Sequence, residues 1–181
     1  MSTATATQTK WGIDTTHSEV QFKVKHLVIS TVTGSFKKFD GEVKSDGDDF
    51  DNAQVNFKID VNSIDTNQAD RDGHLKSEDF FAAAQYPTIT FAQGTLKKVS
   101  GSDYKLVGNL TVRDITRPVE LDVEFGGIVK DPWGNIKAGF ELTGKINRKE
   151  FGLTWSALTE AGGMVVGDDV KLHINIELAK A

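Results

Sequence analysis

Apolar side chains recur at every second position along most of this chain. In VQFKVKH, Val20, Phe22 and Val24 share one parity while Gln21, Lys23 and Lys25 take the other. The same alternation runs through Val55, Phe57, Ile59 and Val61, through Tyr104, Leu106, Leu110 and Val112, and through Val119, Leu121, Val123 and Phe125. It returns in Ile136, Phe140 and Leu142, and in Val170, Leu172, Ile174, Ile176 and Leu178. A period of two gives each strand one dry and one wet face, which antiparallel sheets permit and doubly covered parallel sheets do not. Weaker strands are expected over 36–44, 88–96 and 144–147, making roughly eight or nine in all. The separators SDGDDFDN (45–52), SGSD (100–103), RDITRP (113–118), DPWGN (131–135) and VGDD (166–169) carry turn chemistry at hairpin spacing.

One stretch departs from period two, between Val61 and Thr88. On a helical period Leu75 falls nearly opposite Phe80, Phe81 and Ala84, so two short helical pieces fit better than one long amphipathic helix. Thr66 or Asn67 is placed to cap the first piece. Ser77, followed by Glu78 and Asp79, is placed to cap the second, and Pro87 forbids continuation. Phe80 and Phe81 then plug one end of the β structure or line a ligand entrance there.

The 181 residues fit one domain, expected over 11–181 behind a threonine-rich flexible tail at 1–10. With no cysteine, disulfides and thiolate sites are excluded. A net charge of −5 without clustered Lys and Arg argues against nucleic acid as a partner. No run approaches the roughly 20 apolar residues of a membrane span, and the N-terminus lacks the apolar segment of an export signal. The expected location is therefore the cytoplasm, or the periplasm if a leader precedes this sequence.

Candidate chemistry is sparse. His17, His26, His74 and His173 form no chelating spacing, so no metal is expected. His26 shares the apolar parity of Val20, Phe22 and Val24, as a hydrogen-bonded structural residue or a polar contact to a ligand. The QADRDGHLKSED segment resembles a calcium loop only in part, with Gln68 at the first ligand position and Asp79 at the last. No nucleophile motif is present, and the glycines of EAGGMVVGDD make no phosphate cradle, so catalysis is not expected. What remains is the apolar face: a barrel of about eight strands is either filled by side chains or holds a small ligand. Gly108, Ala138 and Gly144 fall at inward parity, where they leave room beside them or merely relieve curvature.

Five segments, in this order and spacing, carry a specific resemblance: WGIDTTHSEVQFKVKHL, DRDGHLKSEDFFAAAQYPTITF, GNLTVRDITRPVEL, NRKEFGLTW and VGDDVKLHINIEL. The chain resembles the YceI-like family of polyisoprenoid-binding proteins from Trp11 to Leu178. That resemblance implies an all-β fold, an extended lipocalin-like, eight-stranded antiparallel barrel with a short α-helical insertion around residues 66–84. It also implies an apolar interior that carries a long isoprenoid lipid, such as a polyprenyl chain or quinone tail, without a cofactor or catalytic group. On this reading Phe22, Phe57, Phe91, Leu110, Phe140 and Ile174 line the tail, while Phe80, Phe81 and Trp155 shape one end of the pocket. His26, Arg113 and Arg148 are candidate polar contacts, although a hairpin or strand-end ion pair is the commoner explanation for both arginines. The alternatives are an enzyme acting on a hydrophobic substrate at the barrel mouth, and a solid-core protein that binds a macromolecule through its wet face. A homodimer is left open.

Overall fold

The computed structural model describes residues 8–156 and 166–181. In chain order it contains β1 (Gln8–Ile13), β2 (Glu19–His26), β3 (Ser30–Phe36), β4 (Phe39–Asp46), β5 (Asp49–Asp60) and β6 (Ile64–Asp65). The helix α1 (Ala69–Lys76) follows, then β7 (Thr88–Ser100), β8 (Asp103–Val112), β9 (Ile115–Lys130), β10 (Ile136–Asn147) and β11 (Val166–Lys180). Most of the predicted tail, and the paired glycines at 162 and 163, lie outside the described residues. Gln8 to Lys10, also assigned to that tail, instead belong to β1, where they pair with β4.

These segments build a closed, eight-stranded antiparallel barrel. β1 and β2 are two halves of one wall strand, because β11 pairs with both: Leu178 lies opposite Ile13, and Ile174 opposite Val20. β3 and β4 divide the next wall strand in the same way, β3 pairing with β2 and β4 with β1 and β5. The break at Lys37 and Lys38 falls inside the single strand expected over 36–44. Each remaining strand pairs with its successor, and β11 closes the circuit.

This bend leaves part of a strand edge without a full-length partner. Past Phe36, β4 runs along β5, whereas the outer edge of β3 meets only the two residues of β6. Residues 61–87 cover the resulting gap. Val61 donates its amide to the Pro87 carbonyl and Phe81 to that of Leu75, folding the insertion back on itself. α1 is capped by the Gln68 side chain, not by Thr66 or Asn67, which the sequence favoured. Ser77 closes this helix through its backbone N–H to His74 instead of opening a second one, and 78–85 run as turns. Pro87 delivers the chain into β7, as its fixed φ and missing N–H require.

Other departures follow from ladder geometry. Val112 pairs directly with Ile115, so the hairpin loop is only Arg113-Asp114 and the strand takes in Thr116 to Pro118. Val166 already pairs with His26, with irregular register before Val170, so VGDD is strand and not turn. A bulge between Ala92 and Thr95 switches the inward parity of β7 from Phe91 to Leu96.

The small inward residues do not open space. A Cβ on Gly108 would lie 2.4 Å from the Phe91 ring and 2.9 Å from Gly94 Cα, and one on Gly144 would lie 2.2 Å from Leu121 Cδ2. Neighbouring side chains already occupy those sites, and Ala138 is packed in the core. Gly108→Ala should therefore destabilise the barrel by about 1–3 kcal/mol through overpacking, read as a lower urea midpoint. An unchanged midpoint would mean that the Phe91 ring swings freely into the interior.

Candidate functional site

The two ends of the barrel are built differently. At one end, Trp11, Phe50, Phe125, Phe140 and Tyr104 form a continuous aromatic plug. Phe50 lies 5.2 Å from Trp11, 5.3 Å from Phe125 and 4.9 Å from Phe140. Phe125 stacks on Phe140 at 5.0 Å. The Trp11 indole N–H donates to Ser45 Oγ at 2.8 Å, so its burial leaves no polar group unsatisfied.

From that plug toward the opposite end runs a cavity of about 390 Å³. Its wall contains all nine apolar residues expected there: Phe22, Phe57, Phe80, Phe81, Phe91, Leu110, Phe140, Trp155 and Ile174. Along β11 alone the wall extends from Val170 to Leu178, about 26 Å of strand and about 20 Å along the axis of a tilted barrel. The shape is that of a tube.

At the second end the insertion forms an aromatic shoulder. The His74 ring packs edge-on against Phe80 at 5.1 Å and Trp155 at 4.8 Å, and its Nε2 lies 2.8 Å from Asp79 Oδ2. Phe81 meets Phe36 edge-on at 6.1 Å. Phe80 and Phe81 thus join α1 to the wall, and His74 becomes a wall residue that its sequence context did not single out.

The basic residues of the wall lie at this same end. Lys25, His26, Arg71, His74 and Arg148 contribute to the cavity wall, with Gln21 and Asn56 further along it, whereas no Asp or Glu does among the described residues. Arg71, which the sequence did not mark, donates from Nε to Thr66 Oγ1 at 2.8 Å and from an Nη to the Thr66 carbonyl at 2.6 Å. Thr66 is buried and donates in turn to Asp72 Oδ1 at 2.5 Å. Asp72 is thereby engaged within the insertion, and α1 occupies the segment that partly matched a calcium loop.

The two arginines expected as ligand contacts have other tasks. Arg113 lies outside the cavity wall. In the left-handed conformation at the β8–β9 turn, it donates to the Phe80 carbonyl at 3.3 Å and stands over the Tyr86 ring, pinning the insertion to the barrel. Arg148 touches the cavity, yet it is only 3% exposed and its donors are committed to main chain. They serve the carbonyls of Leu153 (2.6 Å), Trp155 (2.7 Å), Gly167 (2.8 Å) and Val166 (3.3 Å). Burial pushes its pKa down, partly offset by Asp168 3.8 Å away. Arg148 is a clamp that holds the segment carrying Trp155 against the start of β11. His26 faces the mouth from the last position of β2, opposite Val166.

A second cluster lies on the outer wall, at the break between β1 and β2. His17 Nδ1 is 2.8 Å from Asp14 Oδ2 and 3.2 Å from Glu177 Oε2, a convergence across the whole sequence that no local spacing reveals. Lys137 Nζ sits 2.7 Å from the same Asp14 oxygen and 4.0 Å from Glu177. The Lys137 hydrogen bond, then those from Thr16 and His17, hold the Asp14 carboxyl well below the usual carboxylate range. The Asp14 hydrogen bond raises His17 and Lys137 in return. The Lys137 ammonium already pairs with both carboxylates, so the group reads as a staple between the split wall strand, β10 and β11.

The matching family model, a YceI-like domain, covers residues 11–178 of this chain. The chain belongs to the YceI-like family. A UPF0312 protein of Pectobacterium atrosepticum is 40% identical over 174 residues, covering 96% of this chain and 87% of that relative. A UPF0312 protein of Staphylococcus aureus is 40% identical over 172 residues, covering 94% and 98%. Among solved structures, the Campylobacter jejuni YceI protein superposes with a TM-score of 0.72 at 34% identity over 87% of this chain and 90% of that one. Burkholderia cenocepacia BcnA (TM-score 0.79, 23% identity, 91% and 98% covered) shares the fold. So does a polyisoprenoid binding domain from Saccharophagus degradans (0.66, 17%, 94% and 98%). The YceI-like barrel is thus a recurrent scaffold.

Two measurements test the clamp and the staple of this YceI-like barrel. Arg148→Met should cost about 3 kcal/mol, since it strips the donors from the buried carbonyls of Leu153, Trp155 and Gly167. Urea denaturation measures this, and a loss below about 0.5 kcal/mol would rule out the clamp. For the staple, Asp14 favours the folded state above its ordinary pKa of 3.8 and loses that effect in acid. His17, raised from 6.5, favours the folded state at low pH and ceases to do so as pH climbs through its folded value. The stability gap between wild type and Asp14→Asn should therefore be widest from about pH 4 to 6.5 and narrow on both sides, as seen in melting curves across pH.

Proposed function

We propose that this protein binds a long hydrophobic isoprenoid lipid, a polyprenyl chain or quinone tail, within the barrel and carries it through water. The observation behind the proposal is the tube-shaped cavity with walls of Phe, Leu, Ile and Val, plugged at one end and furnished with polar groups at the other. Burying apolar carbon contributes about 0.8 kcal/mol per methylene, so each five-carbon unit adds a few kcal/mol against the entropy of capture. No reacting group is needed for that role. The Saccharophagus degradans neighbour, described as a polyisoprenoid binding domain, supports the reading through its shared fold.

In this proposal the tail enters past His74, Phe80, Phe81 and Trp155 and lies along Phe22, Phe57, Leu110 and Ile174, its tip against Phe91 and Phe140. The head group stays at the mouth, beside His26 and Arg71. Donors without a facing carboxylate favour a head group that accepts hydrogen bonds, a carbonyl or a phosphate. Arg71 is the stronger contact, because its remaining N–H groups have no partner among the described residues, whereas Arg148 is spent on the main chain.

Protein purified from a lipid-replete host and extracted with organic solvent should release a prenyl lipid detectable by mass spectrometry. A reproducibly empty extract, together with no uptake of added prenyl alcohol, would contradict the proposal. Ile174→Trp, which projects extra rings into mid-tube, should weaken binding of farnesol at least about tenfold while the fold persists in circular dichroism. Undiminished affinity would place the ligand elsewhere.

A further inference from the structure

We propose that the β2–β3 hairpin tip and the lysines behind it form a docking surface for an anionic lipid bilayer, placing the cavity mouth on the membrane. This inference rests on the lipid-carrier reading and adds where the cargo is exchanged.

The tip consists of Leu27, Val28 and Ile29, which are 38%, 71% and 85% exposed. Three consecutive apolar residues at the point of a hairpin contribute little to this barrel's core. The backbone adds a second observation: Leu27 has φ 52° and Val28 φ 67°, the left-handed region that β-branched residues strongly resist. Asn or Gly would serve that turn without strain. The hairpin therefore carries protruding hydrocarbon at the expense of local comfort, and such strain marks sites retained for a use outside the fold.

Its position and surroundings point to the occupant. The tip follows immediately on Lys25 and His26, which belong to the cavity wall at the open end. On the outer wall just behind it, Lys23 lies directly opposite Lys171, and Lys171 directly opposite Lys145, a row of like charges across three strands. Cross-strand lysines repel one another. Lys145 is offset by Asp169 and Lys149 by Asp168, while Lys23 and Lys171 make no ion pair among the described residues. On a chain of net charge −5 this is a local cationic face. An apolar wedge flanked by lysines suits an interface in which hydrocarbon enters the acyl boundary and ammonium groups meet phosphates. A second copy suits it poorly, since a two-fold contact would lay the lysine row against itself.

The test uses the full chain with vesicles of phosphatidylcholine, alone or mixed with phosphatidylglycerol, in a flotation assay. Wild type should float with the mixed vesicles and be released by salt, as screened lysine contacts require. Val28→Gly combined with Ile29→Ser should weaken partition at least about tenfold. Lys23→Gln with Lys171→Gln should weaken it several-fold on the mixed vesicles only. Because Val28→Gly relieves the left-handed strain, its melting temperature should equal or exceed that of wild type, so lost docking cannot be blamed on misfolding. Uptake of farnesol from solution should be unchanged in every variant. Wild type that fails to float, variants that float equally well, or a dimer that Val28→Gly with Ile29→Ser converts to monomer would each overturn the docking surface. Wild type that floats but takes up no farnesol would leave docking standing and remove the carrier reading instead.

Discussion

The circumference of an eight-strand circuit governs everything else in this molecule. Once β11 closes on β1, the interior is wide enough that side chains fill it only where several large rings project together. They do so at one end, where Trp11, Phe50, Phe125 and Phe140 meet. Along the rest of the tube the wall, Phe22 and Phe57 among its Val, Leu and Ile, encloses an open volume of about 390 Å³. Glycines do not create it, since Gly108 and Gly144 sit beneath Phe91 and Leu121.

The second consequence of closure is the mouth. A wall strand bent at Lys37 and Lys38 pairs with β5 along one half and leaves the edge of the other half to the insertion. An unpaired edge is a liability that proteins cover, and here the cover also carries Phe80, Phe81, His74 and Arg71 into the cavity wall. Arg113 and Arg148 hold the two flanks of this assembly by donating to main-chain carbonyls. The basic residues of the wall gather at this end because strand ends, helix and loop meet there, whereas the barrel's middle offers only ladder.

Much of this was legible in the chain. The alternation located the inward faces of β2, β5, β8, β9, β10 and β11, and the segments matching the YceI-like family supplied the barrel and the place of the insertion. All nine apolar positions drawn from that combination fall in the cavity wall. Four things were not legible, each for a physical reason. Strand breaks such as that at Lys37 depend on which neighbour a strand pairs with. Arginine roles depend on whether nearby carbonyls are left unpaired, which is a property of tertiary structure. Convergence of Asp14, His17, Lys137 and Glu177 arises from closure itself, and the wall position of Arg71 from how the insertion folds back.

On the proposed function, apolar length, measured by a tube closed at one end, determines what binds. Isothermal titration calorimetry with geraniol, farnesol and geranylgeraniol measures that directly. The account predicts a heat-capacity decrease and an affinity gain of about tenfold or more for each added isoprene unit, until the tail reaches the aromatic plug. Affinity that stays flat as the chain lengthens would contradict it.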